Sequence, residues 1–327
     1  MRALVTGAAG GLGMYLVRGL LAHGWDVTGV DDLSRGRDDA DLAAVRADPH
    51  TTFVAGDLTD PSAWDTLGSG FDAVYHLAAV NGTRTFYEHP ARVLRVNLLA
   101  LMHGLDWAAR VPCGRFIWTS SSEVYAGLAE IDRLPLPTPE EVPLIVSDVR
   151  NPRWSYATSK IAGEALCTAY AREHHVPVVV VRPHNIYGPR MGWDHVIPEL
   201  VERARGGESP LVLRGGDQTR SFCYGDDAAE FLVRLADAPL ELPATVHLGN
   251  GLEEVAIVDL ARRILAALAL PDAVRSDPAP EGSVARRQPD TRRIEAITGY
   301  RPRVTLDEGL RTTIAWYAEH PRPAPAA

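Results

Sequence analysis

Apolar and β-branched residues gather into short runs through the first half of the chain, separated by longer stretches of helical period. The runs are RALVT, DVTGV, TFVA, DAVYH, RFIWT and PVVVVR, beginning at Arg2, Asp26, Thr52, Asp72, Arg115 and Pro177. Strands alternating with helices predict a parallel, doubly wound sheet. The first intervening segment, GGLGMYLVRGLLAHG, sets Leu12, Tyr15, Leu16, Gly19 and Leu20 on one helical face and ends near Gly24. That face is expected to pack on the sheet.

Beyond Pro183 the rhythm loosens into the loops PHNIYGPRMGWDH and LRGGDQTRSF, separated by the helix-like IPELVERARGG, before ATVHLGN returns to the sheet. The expected fold is therefore α/β, a Rossmann-type doubly wound parallel sheet with a smaller C-terminal substrate-binding domain. Residues 1–183 and about 222–250 form the first part, and about 184–221 and 251–320 the second. The tail, 321–327, carries no core residues and is expected to be mobile.

Composition narrows the function. At 327 residues, 46% of them hydrophobic, the chain can bury the cores of two domains. No apolar run reaches the ~20 residues that span a bilayer, and MRALVTGAAG leads directly into a strand, so the expected location is cytoplasmic. Cys113, Cys167 and Cys223 are far apart and odd in number, which suggests reduced thiols and neither a disulfide framework nor a Cys-rich metal site. His174, His175, His184 and His195 form no metal set, and His174 and His175 suit the end of a helix. A net charge of -9 argues against nucleic acid or an anionic membrane as partner, so an anionic ligand needs a local positive pocket.

Such a pocket has candidates. VTGAAGGLG places Gly7, Gly10 and Gly13 between a strand and a helix, where glycine lets the backbone approach a pyrophosphate and free helix amides stabilise its charge. Asp31 ends the second strand, where a carboxylate accepts hydrogen bonds from an adenosine ribose and repels a 2′-phosphate, favouring NAD over NADP; Arg35 tempers that preference. Asp57 and Leu58 in GDLTD suit an adenine contact, and Ala78 in HLAA leaves room for a cofactor backbone. Met191 and Trp193 suit a nucleotide base or plain packing. Tyr15 and Trp107 suit core or interface.

YATSK puts Tyr156 and Lys160 on one helical face. An ammonium beside the phenol favours the phenolate, so Tyr156 can act as general base, with Ser121 orienting the same substrate hydroxyl.

With these motifs the chain resembles the extended short-chain dehydrogenases/reductases that act on nucleotide sugars. The likeness runs on through RPHNIYGPR, GGDQTRSFCYGDD and RRQPDTRRIEAITGYRP. It implies that the tyrosine takes a proton from a sugar hydroxyl, usually O4, as hydride passes to a tightly held NAD and later returns. It implies further that Asn185 belongs to the substrate loop, that Arg220 and Arg287 face the phosphates of a nucleotide-diphosphate sugar, and that ARVLRVNLLALMHGLDWAAR and ATSKIAGEALCTAYARE pair in a homodimer. His184 stands where an aromatic residue is common, and Ser221 where many members have aspartate.

In the family that the chain resembles, the fates of the keto sugar are sorted by residues around the loop that reads TSSSEVYAG here. The 4,6-dehydratases carry an Asp-Glu pair there, whereas this chain has Ser122 before Glu123, so the usual proton donor is missing. UDP-glucuronate decarboxylases are similar in having Glu alone, and Arg153 in LIVSDVRNPRWSYATSK matches one of their arginines. Epimerisation requires only Ser121, Tyr156, Lys160, NAD and a tolerant pocket, with Glu123 and Ser122 binding the sugar, and it is the expected reaction. The alternatives are decarboxylation or dehydration using Glu123, net dehydrogenation releasing NADH, or an NAD-binding regulator without turnover.

Overall fold

A computed structural model describes residues 1–279 and 284–322. Residues 323–327 of the tail expected to be mobile lie outside the described residues. The central sheet is built on β1 (Arg2–Thr6), β2 (Asp26–Asp31), β3 (Thr51–Ala55), β4 (Ala73–His76), β5 (Phe116–Thr119) and β6 (Val178–Pro183). A seventh strand, Ala244–Leu248, completes it in the order 244–248, β6, β5, β4, β1, β2, β3, with every pairing parallel. A parallel sheet is covered on both faces, so its strands read as unbroken apolar runs.

Alternation along each strand divides the core. Ala3, Val5, Val179 and Val181 face one layer with Met14, Val17 and Phe231. Leu4, Val74, Val178 and Val180 face the other, with Trp64, Leu101 and Trp107. The second layer includes the helix Pro90–Arg110, which packs beside the helix Ser155–Glu173.

The helix Gly11–Ala22 departs from its expected packing. Gly13, Met14, Leu16, Val17 and Leu20 are its buried residues. The Tyr15 and Gly19 side meets the helix Gly225–Leu235: a Cβ on Gly225 would lie 2.5 Å from the Tyr15 ring, and one on Gly19 would touch Ala229 and Val233. A helix buried on two sides has an apolar arc too wide for one face to be singled out from spacing.

A third cluster gathers the helices Val196–Arg205, Ile257–Ala267 and Leu306–Glu319 around Leu211, Phe222 and Val255. A short sheet beside it joins Glu254–Ala256, Thr219–Ser221 and Arg286–Arg287, bringing Arg220 alongside Arg287. The segment Arg190–Trp193 straps this region to the start of the chain. The Arg190 guanidinium pairs with Asp39 and donates to the Ala9 carbonyl at 3.3 Å. Arg37 lies 3.9 Å from the Trp193 ring centroid and 4.9 Å from that of Trp316. No helix of the described residues is long and apolar enough to cross a membrane.

Candidate active site

The Gly-rich turn fits a dinucleotide. Gly7 has φ +70°, and a Cβ there would meet the Ala78 nitrogen at 2.9 Å; a Cβ on Gly13 would fall 2.0 Å from the Gly7 carbonyl oxygen. Gly10 opens the helix Gly11–Ala22 with no side-chain cap and no acidic residue in the first turn. Its terminal amides are thus directed at whatever anion lies before them. Asp31 closes β2 and is buried. Its carboxylate accepts from the Ala9 amide at 3.0 Å and the Leu33 amide at 2.8 Å, and burial raises its pKa. Two lone-pair sites remain for ribose hydroxyls.

Arg35 is bonded to the Asn81 carbonyl at 2.6 Å. Asp57 spends its carboxylate on its own turn, accepting from the Thr59 amide and hydroxyl, both at 2.8 Å. Leu58 is buried with Trp64, whose ring N–H donates to the Leu58 carbonyl. The Ala78 amide donates to the Thr6 hydroxyl at 3.2 Å, at the head of the cleft between β1 and β4. Met191 sits over the turn, 2.7 Å from where a Cβ on Gly11 would be.

The helix Ser155–Glu173 carries Tyr156 and Lys160, and the end of β5 leads into Ser121 and the short helix Ser122–Tyr125. The Tyr156 ring stacks on Phe86, with centroids 4.8 Å apart and planes 12° apart. Lys160 donates from Nζ to the Thr119 carbonyl at 2.8 Å, and Nζ is 5.5 Å from the Tyr156 ring centroid.

The expected lowering of the phenol by Lys160 is not what these surroundings produce. Burial raises the Tyr156 pKa and the Glu123 carboxylate adds to the rise, outweighing the Ser121 hydrogen bond and the Arg35 charge, so that the phenol stands at about 12. Burial also pulls the Lys160 ammonium down to about 7. Both groups lie in a medium that penalises their charged forms, and the lysine is anchored to a carbonyl.

Glu123 sits between two arginines. Arg287 Nη1 is 2.6 Å from Oε1, and Arg153 Nη1 is 3.2 Å from Oε2. Burial alone would raise its pKa, but Arg287 and then Arg153 overcome that and hold it at about 2. The neighbours of Arg287 are engaged elsewhere, Arg286 with Glu254 at 2.6 Å and Arg292 with Asp290 at 2.5 Å, so Arg287 turns inward apart from them.

Arg220 makes no surface salt bridge. Its guanidinium donates to the carbonyls of Thr219, Val284 and Ala285 and to the Gln218 side chain, at 2.7, 2.7, 3.1 and 3.0 Å. Burial, with repulsion from Arg287, lowers its pKa to about 9. The charge is uncancelled by a bonded carboxylate among the described residues. Asn185, at φ +43°, donates its side-chain amide to the Ser221 carbonyl at 2.9 Å, tying its loop to the strand of Arg220. Ser122 is buried beside a small cavity shared with His184 and Arg287.

Beneath this site runs a polar network that the sequence reading did not single out. Arg182 grips Glu164 with two nitrogens, at 2.8 and 2.5 Å, and Glu164 also accepts from the Ser120 hydroxyl at 2.5 Å. Arg182 reaches the Tyr125 hydroxyl, which lies 2.6 Å from His247 Nε2. The signal was available: VVVVR ends a fully buried strand with a cation, and a buried cation requires a partner. What spacing lacks is the partner's identity, since Glu164 reads as one more helix-surface carboxylate.

Comparison with known proteins agrees with this geometry. The model of the NAD dependent epimerase/dehydratase family matches residues 3–249. UDP-glucuronic acid decarboxylase 1 of Xenopus tropicalis is 32% identical over 99% of this chain and 76% of its own length. UDP-glucose 4-epimerase of Mycolicibacterium smegmatis is 30% identical over 97% of this chain and 98% of its own. The solved dTDP-glucose 4,6-dehydratase of Streptomyces venezuelae, with NAD bound, superposes with a TM-score of 0.85 at 30% identity, covering 98% of both chains. Relatives at one level of identity thus span three fates of a sugar nucleotide. The chain belongs to the NAD-dependent epimerase/dehydratase family.

Proposed function

We propose that the protein epimerises a nucleotide-activated sugar through a transient keto intermediate, with oxidation at C4. The observation that carries this reading is the state of Glu123. Clamped by Arg287 and Arg153 and held at about 2, it is an ionised carboxylate at any physiological pH. It has no proton to donate, and as a base it is too weak to assist elimination. With Ser122 before it, the turn offers no acid for dehydration.

Epimerisation uses what remains. Tyr156 takes the proton of the sugar hydroxyl and gives it back, Ser121 beside the phenol orients that hydroxyl, and Lys160 braces the pair from the Thr119 carbonyl. Bound NAD, held by Gly7, Gly10, Gly13 and Asp31 with Ala78 close by, supplies reversible hydride acceptance. Arg220, with no bonded carboxylate among the described residues, favours the diphosphate together with Arg287.

A second reading is decarboxylation of a nucleotide-activated uronate. The positive charge of Arg153 and Arg287 favours it, because a substrate carboxylate can compete with Glu123 for both. Incubation with NAD and a panel of NDP-hexoses, NDP-uronates and NDP-amino sugars, read by mass spectrometry, separates the two. A product of unchanged mass and altered retention is expected, and loss of carbon dioxide or water would reject epimerisation. In the same assay Glu123→Gln should keep turnover within about tenfold while costing on the order of 1–3 kcal/mol of stability, since it leaves two half-buried guanidiniums without their carboxylate. A fall of a thousandfold would make Glu123 an acid-base group.

We include a homodimer in the proposal, joined through Pro90–Arg110 and Ser155–Glu173. Light scattering should give twice the chain mass of 35.5 kDa, and a monomer would defeat it.

A further inference from the structure

His184 and Ser221 are the two departures from the resemblance; both hold buried polar atoms without a hydrogen-bond partner among the described residues, and of the two His184 borders a cavity. It is fully enclosed, at 2% exposure, yet neither ring nitrogen has a hydrogen-bond partner among the described residues. Its backbone is fixed, the amide donating to the Leu248 carbonyl at 2.8 Å. Its ring contacts are edge-on or tilted packing: His247 at 4.7 Å and Tyr125 at 6.1 Å between centroids. An aromatic hydrocarbon would fill such a place at no polar cost. An imidazole there leaves a donor and an acceptor unmatched, which native interiors avoid unless something else supplies the match.

The ring borders a cavity of about 10 Å³, whose wall includes Ser122, Thr138, Tyr125, Ala126 and Arg287. That is room for one water-sized group. The cavity adjoins the site, because Ser122 follows Ser121 and Arg287 is bonded to Glu123. Apolar surface from Tyr125 and Ala126 meets polar surface from Ser122, Thr138 and His184. With room for one oxygen, such a lining suits the terminal hydroxyl of a substituent whose carbon stays outside the cavity.

We infer that His184 makes this cavity a specificity site for a hydroxymethyl substituent of the sugar, selecting a nucleotide-activated hexose over its 6-deoxy and uronate counterparts. The inference rests on the proposal that the substrate is a nucleotide sugar. Burial and the neighbouring cations Arg287 and Arg182 keep the imidazole neutral, so it presents one N–H and one lone pair, the complement of a hydroxyl. A carboxylate matches less well. It is larger by an oxygen, a neutral ring does not compensate its charge, and the nearest guanidinium, Arg287, is already bonded to an ionised Glu123. A 6-deoxy sugar would bring a methyl group and leave both nitrogens unmatched.

Titration calorimetry on the NAD-loaded full chain tests this. Bare UDP, dTDP, GDP and CDP are compared first, and the tightest sets the nucleotide. The glucose, 6-deoxyglucose and glucuronate forms of that nucleotide are then compared in wild type and in His184→Phe. Wild type should bind the glucose form about tenfold more tightly than either counterpart. His184→Phe should bring the three within about twofold, mainly by weakening the glucose form, with bare-nucleotide affinity serving as the check on folding.

Equal affinities in wild type, a preference for the 6-deoxy or uronate form, or a preference that survives His184→Phe would each overturn the inference. The wild-type comparison decides even if the variant does not fold. If no sugar form binds more tightly than the bare nucleotide, the nucleotide-sugar reading fails as well, an outcome distinct from the others.

Discussion

Tyr156→Phe should lower product formation at least about a thousandfold while leaving the fold and NAD binding in place. The ring is buried and stacked on Phe86, and phenylalanine preserves that packing. Only the hydroxyl is lost, and with it the atom to which the proposed reaction assigns the proton exchange with the sugar. The wild-type rate should rise with pH over the range where the phenol is mostly protonated. Its starting point in the protein alone is about 12, and the competent form is the deprotonated one. In the variant that dependence should disappear. Product quantified by chromatography between pH 6 and pH 9 measures both effects, and retention of more than a tenth of the activity would remove Tyr156 from the chemistry.

Lys160→Met should act in opposite directions on activity and stability. Turnover should fall about a hundredfold or more, because the brace on the Tyr156 side of the site is gone. Stability should rise. Lys160 is 2% exposed, and its ammonium is held at about 7 in the folded protein against about 10.4 in an unfolded chain. A cation whose folded pKa lies below its unfolded one burdens the folded state most fully below pH 7. The burden fades as pH climbs towards 10.4. After allowing for the lost hydrogen bond to Thr119, removing the charge should gain on the order of 2 kcal/mol near neutrality. Chemical denaturation at pH 6.5 and pH 9.5 should show the larger gain at the lower value. A loss of stability at pH 6.5 would mean that Lys160 is a net stabiliser.

The parts of the molecule that were legible in the sequence are those governed by local pattern. Ala3 to Val5 and Val178 to Val181 are apolar without interruption because both sheet faces are covered, and VTGAAGGLG requires glycine for steric reasons visible in spacing alone. What was not legible depends on which side chains meet across the fold. Glu123 posed the clearest question in the sequence, and its answer came from Arg153, thirty positions away, and Arg287, far beyond. Arg220 gave no sign in sequence of donating to three backbone carbonyls. The phenol and ammonium of Tyr156 and Lys160 were expected to influence each other, and burial, which no spacing reports, dominates both.

The strap from Arg190 to Trp193 joins the far part of the chain to its Gly-rich start. It lies across Ala9 and Gly11, fastened by the Arg190 ion pair with Asp39 and by Arg37 packed on Trp193 and Trp316. Parting the Arg190–Asp39 pair would therefore loosen the cover over the turn and the seat of Arg37 on Trp193 and Trp316 together. During synthesis the turn emerges well before the strap does. The Gly-rich turn therefore receives its cover only from chain that is made after it.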